Sequence, residues 1–288
     1  MDRGLPVPTT PCRESCSKGG FPLNIKGTAS LKKRFPFRLG TTSYIIPADL
    51  LSNVKFLADK VDDIELVLFE SDEITNLPDA ATVKTLKEMA ERHDLTYTVH
   101  LPLDTWMGHE DESVRRRSVD KCLRVIECTA SLPPFTYVIH FHGDHPGESP
   151  SLDLARWIDG HRRSVEGLLK HVNSWDLCVE TLDYSYALIE DIISDYNLSV
   201  CLDLGHLLLC GHGPEDYLDR YLPRTRVIHI HGVENGNDHR SLAFLPTGLL
   251  TTLIDQLGSG SEKSRVLTME IFDERAFNQS LDILSSFV

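Results

Sequence analysis

The sequence predicts an α/β protein, a single (β/α)8 barrel over residues 36–288 preceded by a flexible basic segment over residues 1–35. Eight short apolar, β-branched runs recur along the chain, and amphipathic helix-like stretches separate them; that alternation indicates βα units and a parallel sheet. Length agrees, because eight such units occupy about 250 residues. An open doubly wound sheet is disfavoured, since Gly40-Thr41-Thr42-Ser43 after the first run offers no G-x-G-x-x-G phosphate cradle.

Residues 1–35 are rich in Pro, Gly, Ser and Thr and end in Lys32-Lys33-Arg34. They lack a hydrophobic period, which predicts a mobile tail with the option of capping the bottom of the barrel. The eight strand-like runs are 38–44, 63–70, 95–101, 137–143, 177–182, 198–204, 226–232 and 265–272. Helices are expected over 79–93, 113–130, 153–171, 186–196, 246–257 and 274–286. The first is typical: Ala81, Val83, Leu86, Met89 and Ala90 form one stripe.

Composition narrows the function. The 288 residues carry 29 Lys+Arg against 43 Asp+Glu, a formal charge of −14. The tail holds seven basic and two acidic residues, so the barrel itself carries −19. A protein that grips nucleic-acid backbones needs surplus Lys and Arg, so nucleic acid is not an expected partner. No apolar run approaches the ~20 residues of a membrane span, and no secretory signal is legible at the N-terminus. Seven Cys show no disulfide spacing. Cys178, Cys201 and Cys210 lie in apolar surroundings that suit reduced thiols in the cytoplasm, and the Cys12-x3-Cys16 pair has no partners for a zinc site.

The 13 His are informative by position. In a (β/α)8 barrel the chemistry sits at the C-terminal strand ends. Those ends read Glu70, His100, His140 and His142, Glu180, Asp203 with His206, His229 and His231, and Glu270. Period-two alternation lets each set point into one mouth. Carboxylates gathered in a low-dielectric mouth repel one another unless cations compensate them. A mixed nitrogen and oxygen set suits Zn²⁺, Mn²⁺ or Fe²⁺ better than Mg²⁺ or Ca²⁺. More than four candidate ligands imply at least two ions. Around them, Arg240 is the expected phosphate contact, and Trp106 with His109 offers a surface for a flat substrate.

The series His100, Phe141-His142, Val179-Glu180-Thr181, Cys201-Leu202-Asp203-x-x-His206, His229-x-His231 and Glu270 resembles the xylose-isomerase-like barrels, and endonuclease IV among them. The resemblance spans residues 36–272 and implies three zinc ions. One would sit on His100, His142 and Glu180. A second would sit on Glu180, Asp203, His229 and Glu270, with Glu180 bridging. A third would use His206 and His239. There the family has Asp-x-His, and Asn237 stands in the Asp place; either Asp238 substitutes or that ion is lost. Glu70, His140, His231 and Asp238 are additional ligands or supporting donors.

A closer resemblance is to the cobamide-remodelling phosphodiesterases of the same superfamily. It is carried by LGTTSYIIPAD (39–49), LVLFESDEITNLPD (66–79), YTVHLPLD (97–104), VETLDY (179–184), CLDLGHLLL (201–209), YLPRTRVIHIHGV (221–233) and DHRSL (238–242). It implies metal-dependent hydrolysis of the nucleotide-loop phosphoester of a cobamide such as adenosylcobalamin. Two or three divalent ions are expected, zinc foremost with Mn or Fe as alternatives. Glu180 and Glu270 would be catalytic, and Arg240, Tyr44 and Trp106 would bind substrate. Sugar isomerase or epimerase, abasic-site endonuclease and non-catalytic corrinoid binder are the competing readings.

Overall fold

The computed structural model describes residues 30–71, 73–258 and 265–288. Eight parallel strands close into a barrel: β1 Arg38–Thr42, β2 Asp63–Val67, β3 Thr96–His100, β4 Thr136–Ile139, β5 Leu177–Glu180, β6 Ser199–Asp203, β7 Thr225–Ile230 and β10 Val266–Met269. Each pairs with its sequence neighbours, and β10 returns to β1 through Arg38↔Val266. All eight expected strands form, within a few residues of their expected ends.

Strand alternation divides the interior into two environments. Ile64, Leu66, Tyr97, Val99, Tyr137, Ile139, Val200, Leu202, Ile228 and Met269 face outward and join the main core. The helices cover that face: α2 Ala80–His93, α3 Glu112–Thr129, α4 Leu154–Leu168, α5 Glu190–Asp195, α8 Leu249–Gly258 and α9 Glu274–Leu284. The alternate residues face into the barrel. Low down they form a small apolar plug of Val138, Cys178, Cys201 and Val227. Above it they become imidazoles and carboxylates.

Three helices and a hairpin lie outside the expected elements: α1 Leu50–Leu57, α6 Leu204–Leu209, α7 Pro214–Tyr221, and the antiparallel pair β8 Gly232–Glu234 with β9 Asn237–Arg240. Asp49, Asp79, Asp111, Asp153, Asp203 and Asp273 each cap a helix by accepting a backbone N–H. An N-cap of this kind contributes about 1 kcal/mol, so these six Asp serve in starting helices.

The end of the segment assigned to the tail is packed. Leu31 and Phe35 are buried, Phe35 stacks on Phe37 at 4.9 Å, and Lys32 Nζ donates to the carbonyls of Ala58 and Val61 at 3.1 and 2.7 Å. Apolar residues at 31 and 35 account for this anchoring. Residues 1–29, with Cys12 and Cys16, lie outside the described residues. Cys122, Cys128, Cys178, Cys201 and Cys210 are free thiols. Among the described residues, no helix is long and apolar enough to cross a membrane.

Candidate metal centre

Glu180, at the end of β5, is the hub of the mouth. It is fully buried. Its Oε2 lies 3.5 Å from His100 Nε2, 3.1 Å from His140 Nε2 and 3.4 Å from His229 Nδ1. Its Oε1 turns the other way, 3.6 Å from His206 Nδ1. Asp203 sits beside it, with Oδ2 2.7 Å from His206 Nδ1 and Oδ1 3.3 Å from His231 Nε2. Glu270 closes the ring, its Oε2 3.5 Å from His229 Nδ1, 3.6 Å from His239 Nδ1 and 3.9 Å from His231 Nε2.

Strand register explains which histidine reaches Glu180. Ile139 pairs with Val179, so the next residue of each strand, His140 and Glu180, stand at the same height. His142 lies two residues further on. It meets His140 edge-on at 4.9 Å, and its Nε2 is buried with no hydrogen-bond partner. His140 thus stands nearest to Glu180, with His142 beside it.

Backbone conformation separates Asn237 from Asp238. Asn237 turns away and donates its side-chain amide to the carbonyls of Glu234 and Asn235. Asp238 Oδ2 instead lies 3.6 Å from His206 Nε2 and 3.7 Å from His239 Nε2. Adjacent residues of an ordinary strand point to opposite faces. Here His239 has φ +53°, a left-handed conformation rare for a residue with a Cβ, and this breaks the alternation so that neighbours converge.

Electrostatics couple the groups. Burial alone would push the Glu180 carboxyl up, but the imidazoles of His140, His229 and His100 reverse this and hold it well below the usual range. Asp203 is likewise held low against its burial by His206 and His231. Burial would lower His100, yet Glu180 and Glu65 raise it to about 9. His142, where burial and the neighbouring His140 outweigh Glu180, falls to about 3. The imidazole of His206 close to it is the main cause that lowers Asp238 to about 2.

The residues fit a cluster of divalent ions. Both Glu180 oxygens, Glu270 Oε2, His229 Nδ1 and His231 Nε2 are buried without a hydrogen-bond partner among the described residues. Leaving such groups unmatched costs free energy. Most of the separations above are long for hydrogen bonds, whereas ligands about 2.0–2.2 Å from a tetrahedral ion sit about 3.3–3.6 Å apart. Several groups of three can share an ion: His100, His140 and Glu180; Asp203, His206 and His231; His206, Asp238 and His239; His231, His239 and Glu270.

Two buried residues here lie outside the expected set. Glu65 on β2 approaches His229 Nε2 at 2.8 Å. Cys201 lies close to Glu180 and His229. Glu70, expected at the mouth, points elsewhere: its Oε1 accepts from Arg124 Nε at 2.6 Å. β2 ends at Val67, so Glu70 lies beyond the strand whose odd-numbered residues face inward.

The model of the xylose isomerase-like TIM barrel family matches residues 58–284. The chain belongs to this family. Among solved structures, a D-tagatose 3-epimerase-like protein shares 18% identity, with 87% of this chain and 97% of that chain covered at TM-score 0.69. The 3-keto-D-glucoside 4-epimerase of E. coli shares 16% identity over 87% and 99% of the two chains, TM-score 0.68. Endonuclease IV from Thermus thermophilus shares 21% identity over 87% and 98%, TM-score 0.59. At these identities the likeness concerns the fold. No curated protein matches the sequence.

As in other barrels, loops after the strands form the rim of this xylose isomerase-like chain. Trp106, 43% exposed, lines a cavity of about 840 Å³ with His109, Asp144, His145 and Arg156. Tyr44, on the loop after β1, accepts from Asn76 Nδ2 at 2.9 Å and helps to line a second cavity of about 480 Å³. Arg240 ends β9, next to His239, and is exposed.

Proposed function

We propose that the chain is a metal-dependent phosphodiesterase that hydrolyses the nucleotide-loop phosphoester of a cobamide in the cytoplasm. The products are an α-ribazole-type nucleoside and a cobinamide phosphate, as cobamide remodelling or salvage requires. The observation that supports hydrolysis is the two-sided Glu180: one oxygen faces His100, His140 and His229, the other His206. A carboxylate shared in this way suits adjacent ions, and paired ions suit phosphoester cleavage. The corrinoid half of the reading rests on the sequence segments quoted above.

Two or three ions, zinc foremost with manganese or iron as alternatives, would be held by His100, His140, His142, Glu180, Asp203, His206, His229, His231, Asp238, His239 and Glu270. When bound they supply Lewis-acid activation of water and neutralise phosphoester charge. Glu180 and Glu270 fix the imidazoles around them, and either can help to orient the incoming water. Arg240 contacts a non-bridging phosphate oxygen from the rim. Trp106 and Tyr44 offer aromatic faces to the flat parts of the substrate, and the burial of the carboxylates excludes bulk water.

The test is incubation of metal-supplemented protein with adenosylcobalamin and, separately, with simple phosphodiesters and an abasic duplex. Cleavage of the cobamide alone, into nucleoside and cobinamide phosphate, is expected. A nicked duplex with intact cobamide would replace the assignment by an abasic endonuclease. A spectral shift of the corrinoid without product would mean a binder. A second reading, sugar epimerase, draws on Glu180 and Glu270 both facing His229 Nδ1, a carboxylate pair able to move protons beside a carbonyl. One ion per chain by elemental analysis favours it, and two or three favour the phosphodiesterase.

A further inference from the structure

We propose that Glu65 is a positioning residue for the metal centre. It accepts a hydrogen bond from His229 Nε2–H and so reserves Nδ1 for the ion shared with Glu180 and Glu270. The inference rests on the reading of His229 as a metal ligand.

The pair spans the barrel interior, from β2 to β7, with β1 and β10 between them. Glu65 and His229 are both fully buried, and Oε2 lies 2.8 Å from Nε2. An ionised carboxylate accepts hydrogen bonds only. A neutral imidazole has one N–H, so a carboxylate at Nε2 leaves Nδ1 with its lone pair free. That nitrogen faces Glu180 Oε2 at 3.4 Å and Glu270 Oε2 at 3.5 Å. Carboxylate partners of this kind fix the ring and raise its basicity as a ligand.

A structural role alone explains Glu65 poorly. Its Oε1 is buried without a hydrogen-bond partner among the described residues, as are the neighbouring Thr98 Oγ1 and Thr268 Oγ1. A buried carboxylate half satisfied is a cost to the fold, whereas orienting His229 gives it a use. Parity supports the same point. Glu65 follows Asp63 by two residues, on the inward face of a strand whose other face carries Ile64 and Leu66.

The experiment measures zinc affinity by chelator competition for wild type, Glu65→Gln and Glu65→Met. Loss of an outer partner typically weakens metal binding by about 10–100-fold. Glu65→Met should show that loss for one ion, and Glu65→Gln, whose amide oxygen can still accept, should restore part of it. In parallel, ¹⁵N-histidine NMR of the zinc-loaded wild type reads the tautomer directly, with His229 assigned by the signal lost in His229→Gln. A protonated Nε2 and an unprotonated Nδ1 are expected. Unchanged zinc affinity in Glu65→Met, or a protonated Nδ1 in the wild type, overturns the role of Glu65 and leaves the metal reading standing. Wild type that binds no zinc overturns both. Should Glu65→Met fail to fold, the wild-type tautomer alone decides.

Discussion

The mouth of the barrel is built in two ways. The group around Glu180 stands on strands: His100, His140 and His229 take their heights from β-sheet register and are almost wholly buried. The group around Asp238 stands on a hairpin and a short helix. Its side chains are part-exposed, His206 at 22%, His239 at 27% and Asp238 at 39%. It is held by an Asn235-Gly236 turn, both residues at positive φ, and by the left-handed His239. A site fixed by register is as rigid as the barrel, whereas one fixed by a hairpin depends on a local and strained piece of backbone. The two halves should therefore differ in affinity and in what their loss does.

The largest effect is expected at the hub. Glu180→Gln removes the charge that both halves share, so turnover should vanish and the bound metal should fall by more than one ion per chain. The loss should exceed the roughly 10–100-fold typical of outer partners. Elemental analysis and the cobamide assay measure it together, and a variant that keeps its metal and its activity ends the idea of a shared carboxylate.

A narrower loss is expected on the hairpin. Asp238→Asn should cost one ion and leave the ions around Glu180 in place, with activity down on the order of 10–100-fold. Chelator titration would separate a weak ion from tight ones in the wild type and show only the tight class in the variant. Loss of every ion at once would mean that the two halves are one site.

His239→Gly sharpens the same contrast by setting backbone against ligand. Glycine adopts positive φ freely, and a residue with a Cβ held there stores about 1 kcal/mol or more. The metal-free variant should unfold at slightly higher denaturant than metal-free wild type, by up to about 1 kcal/mol, while binding one ion fewer. A variant less stable without metal would show that the imidazole packing against Phe272, 4.9 Å away, matters more than the strain.

How much of this the sequence carried depends on the residue. The eight strands were legible because parallel barrel strands are apolar runs that end in polar residues. Helix α6 was hidden because Leu204–Leu209 is apolar on nearly every side and reads as a continuation of β6. The hairpin had a signal, Asn235-Gly236, a strong two-residue turn pair. Its consequence, Asp238 and His239 on one face, did not follow, since a left-handed residue cannot be read from composition. Glu65 was missed and Glu70 chosen because β2 was read as longer than Asp63–Val67, which shifts attention to the even-numbered face. His140 and His142 share a face, and only the pairing of β4 with β5 shows which stands level with Glu180. The rim residues Tyr44, Trp106 and Arg240 sit on loops or on the hairpin, and residue type alone did not fix where they stand.

The smallest effect concerns a histidine outside the barrel, a contrast to those inside. The mouth holds imidazoles beside carboxylates, which raise His100 and His206 in spite of burial. His161 on α4 is fully buried, but it lies against Trp157 and Phe141, and its Nδ1 meets the Trp157 carbonyl at 2.9 Å. Burial there pushes it down to about 4. Its folded value lies below its unfolded value of about 6.5, so folding favours the neutral ring. Its contribution to stability is complete above pH 6.5 and is lost progressively as the pH falls from there towards 4. Between pH 7 and pH 6 the loss should be about 0.7 kcal/mol, from the two values and 1.36 kcal/mol per unit. Urea titrations of wild type and His161→Asn at both pH values isolate it, because the other titrating groups are common to both proteins. The variant should be less stable throughout yet lose about 0.7 kcal/mol less on acidification. Equal losses would mean that His161 charges within the folded protein, and that burial does not separate it from the histidines of the mouth.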